Sequence, residues 1–528
     1  MDLGTAFDAS VARQPGALAF VDGELRRDFA SWQKEIRCVA GGLSAMGLQA
    51  DDRLVCIMAN RYEMATLYWA CQMLGAVFTP FNWRATTNDI AFILEDADPQ
   101  IVAFDDSCDE AVQSALGGFN FSEDALVTAG VDLPGIAFAK LLKSDPVNSP
   151  VGARDEDICL MLYTSGTTGK PKGVPRSHRA ERTAAASVIA HLRYRFGDCA
   201  LGVMPLFHTM GIRILLCSMM INGALINMRG FNGAAALKLI EDENINSLFL
   251  VPTMFHDMLA QETFATDAMS SVQNIAYAGM SMTSELEQRC VERFQPEIFA
   301  NYYGSSEIFT FSVCDHLDRK PGSAGWPGIN QKIRVVRADA DGGAMPNETL
   351  SPNEIGEVIA TMESPEAFRG YWKRPDADEK AIRDGWYFTG DLGYFDEDGE
   401  LFLAGRIDDM IISGGENIHP EEVEDTLSDC DLVSTAAVVG LPDERWGQKV
   451  VAFIEAASEK AGAKALDEFC TNSALARFKR PKAYVFVEAL PKSASGKLLR
   501  RHLRDGDYVV SPKFDSTLQE LDSKEREE

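Results

Sequence analysis

The chain has 528 residues, 46% apolar and 24% charged, which excludes a disordered or collagenous protein and suits about three to four domain-sized units. Its formal charge of −29 repels nucleic acid and anionic lipid except where positive charge gathers locally, so neither is an expected partner. Eleven cysteines, an odd number without a CxxC pair, suit reduced thiols in a cytoplasm better than a disulfide framework.

At the N-terminus, MDLGTAFDAS has neither a basic start nor an apolar core, so no secretory signal is expected. Short apolar runs then alternate with helical periodicity. The runs Leu54–Met58, Val77–Pro80, Ile101–Phe104, Ile158–Leu162, Leu248–Val251 and Asn274–Tyr277 read as strands. Tyr62–Leu74 and Ala234–Glu243 return apolar residues every three to four positions and read as helices. This alternation predicts α/β layers around largely parallel sheets. The longest apolar stretch, Ile214–Ile226, is interrupted by Ser218, Asn222 and Gly223, so membrane insertion is not expected. No period of about 20–50 residues repeats, which excludes solenoids and propellers.

From about Asp384 the texture becomes turn-rich, and Asp398-Gly399 between two apolar runs predicts a hairpin. Beyond Arg406 a Gly-Gly turn precedes a helix with Pro420 near its start and Glu421, Glu422 and Glu424 in its first turns. Strand-like runs Thr435–Val439 and Val450–Ile454 and a helix over Lys464–Asn472 complete a separate α+β unit of roughly 120 residues. Between Arg477 and Arg504 nine Lys or Arg face one acid, Glu488. Such a run usually reads as a solvated face; here it also offers a site for a multiply charged anion. The polar stretch 515–528 is expected to fray.

The chemistry is densest in YTSGTTGKPKGV, residues 163–174. A strand runs into Ser165, Gly166, Thr167, Thr168, Gly169 and Lys170, and a helix begins shortly after Pro175. Glycines admit close backbone approach, hydroxyls and N–H groups donate, and lysines add charge, which together make a phosphate cradle. It is not a GxxxxGK[ST] loop, because Thr164 stands five before Gly169 and Lys170 precedes proline.

The segment resembles the signature loop of the adenylate-forming superfamily: acyl- and aryl-CoA ligases, peptide-synthetase adenylation domains and beetle luciferases. Four further motifs of that superfamily follow in order: NYYGSSE (301–307), YFTGD (387–391), GRIDDMIISGGENIHP (405–420) and PKSASGK (491–497). The ENIHP, RWGQ and FKRPK segments are most similar to acid–CoA ligases of the 4-chlorobenzoate–CoA ligase type. The resemblance implies an α/β multidomain protein. A large N-terminal region over 1–407 would hold two α/β subdomains and a distorted β-barrel, and a small mobile α+β domain would span 408–528.

It also implies a reaction in which ATP and a carboxylic acid give an acyl-adenylate, whose acyl group passes to coenzyme A. Thr164, the 165–170 loop and Tyr303 would bind ATP, Asp391 would take the ribose hydroxyls with help from Arg406, and Glu307 would bind Mg²⁺. Taken alone, either acid reads as a turn or ion-pair residue; the surrounding motif reverses that. Ser306 stands where the superfamily commonly has Thr and keeps the hydroxyl that would meet the α-phosphate. Lys497 matches the catalytic lysine, with His208 at the pocket mouth as a packing gate rather than a general base.

The acid pocket would be lined by Thr209, Met210, Phe249, Ala278, Gly279, Tyr302, Gly304, Phe309 and Thr310, a compact, apolar wall suited to an aromatic or short-to-medium-chain acid. Arg213 is unusual near it and is expected to snorkel outward; pointing inward, it would offer to pair with a second carboxylate. Asp408 would be a hinge that exchanges the lysine loop for the Gly414-Gly415 segment. Arg84, Trp446, Phe478, Arg480 and Lys482 would meet the nucleotide end of coenzyme A. A homodimer is compatible with this reading. An enzyme that loads a carrier protein is the runner-up. A catalytically silent binding homologue is a third, disfavoured because Lys497 and Glu307 are both retained.

Overall fold

The computed structural model describes residues 1–164, 171–338, 344–492 and 498–514. The chain divides into two compact units, Met1–Ile333 with Ala360–Tyr387, and Arg334–Ile359 with Phe388–Glu528.

In the first unit, one seven-stranded sheet follows the order Ile136–Ala137, Leu126–Ala129, Ile101–Asp105, Arg53–Ile57, Val77–Phe81, Ile158–Thr164, Lys172–Ser177. Its strands are parallel except for the last pair. Val77–Phe81 and Ile101–Asp105 are buried at every position, as strands covered on both faces must be, which is why they read as largely apolar runs. The helix Tyr62–Leu74 is buried everywhere except Glu63 and ends at Gly75, whose φ of 68° suits a residue without a side chain. Thr86 and Asp89 start the next helix, Thr87–Ala97, with a reciprocal capping box.

A second sheet continues through Leu25–Asp28, Leu18–Asp22, Ala224–Asn227, Cys199–Gly202, Ser247–Leu250, Asn274–Tyr277, Ile298–Tyr303, Ser312–Cys314 and Ser323–Pro327. Its central members are parallel, and the expected strand boundaries hold to within one or two residues. The apolar stretch Ile214–Ile226 resolves into the end of the helix Thr209–Met220 and the strand Ala224–Asn227, turned at Asn222 with φ 49°. Among the described residues no helix is long and apolar enough to cross a membrane.

In the second unit, Asp391–Phe395 at the end of one strand pairs with Leu401–Arg406 in the expected hairpin around Asp398-Gly399. Asp396 fixes the turn by accepting from the Asp398 and Glu400 N–H groups at 3.0 and 2.9 Å. A five-stranded sheet follows, with Gly447–Ala456 paired to both Val433–Asp443 and Ala483–Phe486. Those two long strands outrun the expected Thr435–Val439 and Val450–Ile454, because Pro442 lies near a hairpin tip where a missing N–H is tolerated. The Gly414-Gly415 turn does not lead straight into the helix. It is the corner of a small hairpin, Ile411–Ser413 with Glu416–Ile418, and the helix Pro420–Ser428 starts after it.

Candidate active site

The first unit gathers its candidates at the C-terminal ends of parallel strands, where open α/β sheets place their ligand sites. Register puts Phe249, Ala276 and Ala300 in one row, and Tyr302 lies two residues beyond on the same face. The two alanines leave room that rings fill: Phe249, Tyr302 and Phe309 stand 5.5 to 6.4 Å apart, centroid to centroid. The Tyr302 hydroxyl is spent on Thr310 Oγ1, 2.7 Å away. Ala278 and Gly279 follow the neighbouring strand, and Gly279 turns the chain with φ 87°.

Beyond Tyr303 the chain doubles back. A Cβ at Gly304 would lie 1.7 Å from the Phe309 carbonyl oxygen, so only glycine fits. Ser305 N–H donates to Ile308 O at 2.9 Å, and Ser305 Oγ accepts from the N–H groups of Glu307 and Ile308 at 3.2 and 3.3 Å. The turn leaves Ser306 and Glu307 buried at the sheet's edge.

Glu307 is held from three sides. Tyr371 Oη donates to its Oε1 at 2.7 Å, while Arg176 Nη1 and the Phe368 N–H donate to its carbonyl at 2.7 and 2.9 Å. Lys172 Nζ lies 4.3 Å from the centroid of the Tyr371 ring. Lys172 pairs with Thr164 across the antiparallel strands that flank residues 165–170. Thr164 and Glu307 are thus linked through Lys172 and Tyr371. One buried carboxylate beside that strand pair fits the demand of Mg²⁺, which takes one or two protein oxygens and completes its shell with phosphate and water. The loop Ser165–Lys170 and Lys497 lie outside the described residues. Arg176, Lys172 and Tyr371 were not singled out from sequence.

His208 has a role that sequence reading did not foresee: it is the N-cap of the helix Thr209–Met220, its Nδ1 accepting from the Met210 N–H at 3.4 Å. Thr209 and Met210 open that helix and are buried. Arg213 corrects the outward expectation. It is fully buried, and its Nη2 donates to both Glu181 carboxylate oxygens at 3.0 and 3.1 Å. Glu181 also accepts from Arg176 Nε at 2.8 Å. Burial works to raise the Glu181 carboxyl, but Arg213 and Arg176 outweigh it and hold it below the ordinary carboxylate range.

The second unit holds the remaining candidates. Asp391 and Arg406 face each other across the hairpin with a 2.9 Å ion pair. A Cβ at Gly390 would lie 3.1 Å from Arg406 Nη2, so the glycine makes room for the guanidinium. Asp408 sits in the short turn Ile407–Asp409. Trp446 lies against Gly414, where a Cβ would approach its ring to 2.8 Å, and Arg445 and Lys482 lie 4.7 and 5.7 Å from its centroid. Trp446 and Phe478 are both more than a third exposed. Arg480 donates to Thr471 Oγ1 at 3.0 Å, and Arg84, in the first unit, stacks 4.0 Å over Trp83.

The basic run is not one anion patch. Lys479 is tied to Glu422, Arg501 to Asp505, Arg504 to Asp409, and Arg500 to Asp409, Glu421 and Glu424. Burial pushes the Glu421 carboxyl up to about 7, against the pull of Arg500. A raised carboxyl holds a proton in the folded state that the unfolded chain has released, so stability falls as pH rises from about 4.5 to about 7. Melting of the whole protein across that window should therefore show a flatter pH dependence in Glu421→Gln than in the parent. Identical slopes would remove Glu421 as a source.

Comparison with known proteins adds an independent line. The family model described as "AMP-binding enzyme" matches residues 7–372, and that of the AMP-binding enzyme C-terminal domain matches 422–497. A 4-chlorobenzoate–CoA ligase of Arthrobacter is 34% identical over 511 residues, 95% of either chain. A fatty acid–[acyl-carrier-protein] ligase of Streptomyces coeruleorubidus is 33% identical over 485 residues, 89% of this chain and 90% of that one. Among solved structures, an o-succinylbenzoate CoA synthetase from Bacillus subtilis bound to its acyl-adenylate has a TM-score of 0.83 at 27% identity. It covers 96% of this chain and 99% of its own.

Proposed function

The chain belongs to the AMP-binding enzyme family and is an AMP-forming acid–CoA ligase, and on that premise we propose how its residues divide the work and which acids it takes. The observation that carries the reading is Glu307: a buried carboxylate held by Tyr371, Arg176 and a serine turn at the strand ends, linked to the base of the hydroxyl- and glycine-rich loop. A magnesium ion, when bound, neutralises charge on the phosphate oxygens, and Glu307 is the residue to hold it. The 165–170 loop takes the outer phosphates, Tyr303 the base, and Asp391 with Arg406 the ribose. Ser306 donates toward the α-phosphate, where the carboxylate oxygen attacks and pyrophosphate leaves. Positioning and charge stabilisation are what such a step needs, since the carboxylate is already deprotonated at neutral pH.

Coenzyme A is the acceptor on this reading. Its adenine stacks on the exposed faces of Trp446 and Phe478, its phosphates meet Arg84, Arg480 and Lys482, and Gly414-Gly415 lines its pantetheine arm. Asp408 is the hinge between adenylation and thiolation. The acid is aromatic or short-to-medium in chain length, received among Thr209, Met210, Phe249, Ala278, Gly279, Tyr302, Gly304, Phe309 and Thr310. The acyl-carrier-protein ligase among the relatives favours a second reading, in which the acceptor is a carrier-bound phosphopantetheine.

Both are tested by AMP release with Mg²⁺ATP across benzoates, phenylpropenoates and C2 to C12 fatty acids. CoA-dependent release with one class is the expected result. Adenylation that turns over only with a phosphopantetheinylated carrier would replace CoA as acceptor, and silence with every acid would overturn the ligase reading.

A further inference from the structure

Behind the rings proposed to line the acid pocket lies a buried ion network that no pocket made only of apolar side chains requires. Arg213 stands four residues after Thr209 and three after Met210, hence on their face of the helix. Its guanidinium is engaged twice over: the donor edge meets the Glu181 carboxylate and carbonyl, and the flat face lies 4.5 Å from the centroid of Phe309. Phe309 packs in turn on Phe249 and Tyr302. The next residue is clamped as well, with Thr310 N–H donating to Glu366 Oε2 at 3.0 Å and Gln331 Nε2 donating to Thr310 O at 3.3 Å. Arg176 and Arg213 against Glu181 and Glu366 make a formally neutral buried set.

We propose that Arg213 is a positioning residue for acid selectivity: stacked on Phe309 and locked to Glu181, it makes that ring a rigid wall and so favours a compact aromatic acid. The proposal rests on the ligase reading above. Two physical points support it. An apolar wall adapts to a longer acyl chain by changing rotamers, but Phe309 is backed by a cation that cannot follow without giving up its bonds to Glu181 and leaving that buried carboxylate with Arg176 alone, which is costly. Both terminal nitrogens of Arg213, which would have suited the second carboxylate of a diacid, are already donating to Glu181, and only its buried Nε is left, so a diacid finds no two-pronged partner there. What faces the substrate is three ring surfaces, and these suit an aryl group by edge-to-face or offset contact.

The test is a double-mutant cycle of Arg213→Lys and Phe309→Leu, read on benzoate- and octanoate-class acids. Lysine keeps a cation for Glu181 but lacks the planar stack. Arg213→Lys should raise KM for the aryl acid and lower the aryl-to-octanoate ratio of kcat/KM about tenfold, within the worth of a buried cation–π contact. KM for ATP and kcat with saturating aryl acid should change little. Because Arg213 acts through Phe309, the double variant should match Phe309→Leu alone.

Additive effects, an unchanged acid profile in Arg213→Lys, or a parent enzyme that prefers a diacid would each overturn the proposal and leave the ligase reading intact. Absence of turnover with any acid would overturn the ligase reading, and this inference with it.

Discussion

Lys497→Ala should lose about 10²–10³ in the rate of acyl-adenylate formation while still passing an acyl group from a supplied adenylate to the thiol. The expected split follows from charge. In the first half-reaction a carboxylate approaches a polyphosphate, and a fixed ammonium between the two offsets repulsion that grows toward the transition state. In the second, a thiol attacks an adenylate whose charge has fallen with pyrophosphate already gone, so the same cation has little to stabilise. Pyrophosphate release reports the first step, and thioester formation from synthetic acyl-AMP reports the second. Equal losses in both would place Lys497 in general binding or folding rather than in adenylation.

Glu181→Gln should be the most destabilising single substitution in the first unit. Glu181 is fully buried and shared by Arg176 and Arg213, so its neutralisation strands two guanidiniums at once. Removing one partner from a buried ion pair typically costs about 3–5 kcal/mol, a large part of the roughly 5–15 kcal/mol by which a domain is stable. The loss should appear as a lower denaturant midpoint at an unchanged slope. Because Arg176 also grips the carbonyl of Glu307, the folded fraction should in addition need more Mg²⁺ for half-maximal adenylation. A midpoint within experimental error of the parent would show that the two arginines find other partners.

Local rules carried a large part of the structure. Val77–Phe81 and Asn274–Tyr277 are legible because strands covered on both faces are mostly apolar, and Gly75, Pro420 and Asp398-Gly399 punctuate the chain by their own backbone chemistry. The strand that runs into Ser165 and the turn that carries Glu307 were legible as motifs. What escaped is whatever depends on a partner distant in sequence. Glu181 lies 32 residues from Arg213, and no periodicity links two helices. Tyr371 reaches Glu307 across 64 residues. The basic run of 477–504 looked like one patch because a charge count ignores direction; Arg500 turns toward three carboxylates that precede it by about a hundred residues or less. The capping role of His208 escaped because its side chain's use by the Met210 N–H is set by where the helix begins.

Sharing one carboxylate between two arginines also shapes how this sequence can diverge. Position 213 is not free to drift alone: most replacements leave Glu181 half-paired, and Glu181 cannot change before both arginines do. Such a triad is a ratchet, entered by a rare order of substitutions and hard to leave by single steps. New acid preferences in descendants of this chain should therefore arise first at Phe249, Ala278 and Met210, which are not partners in this ion network, while 176, 181 and 213 are inherited as a block.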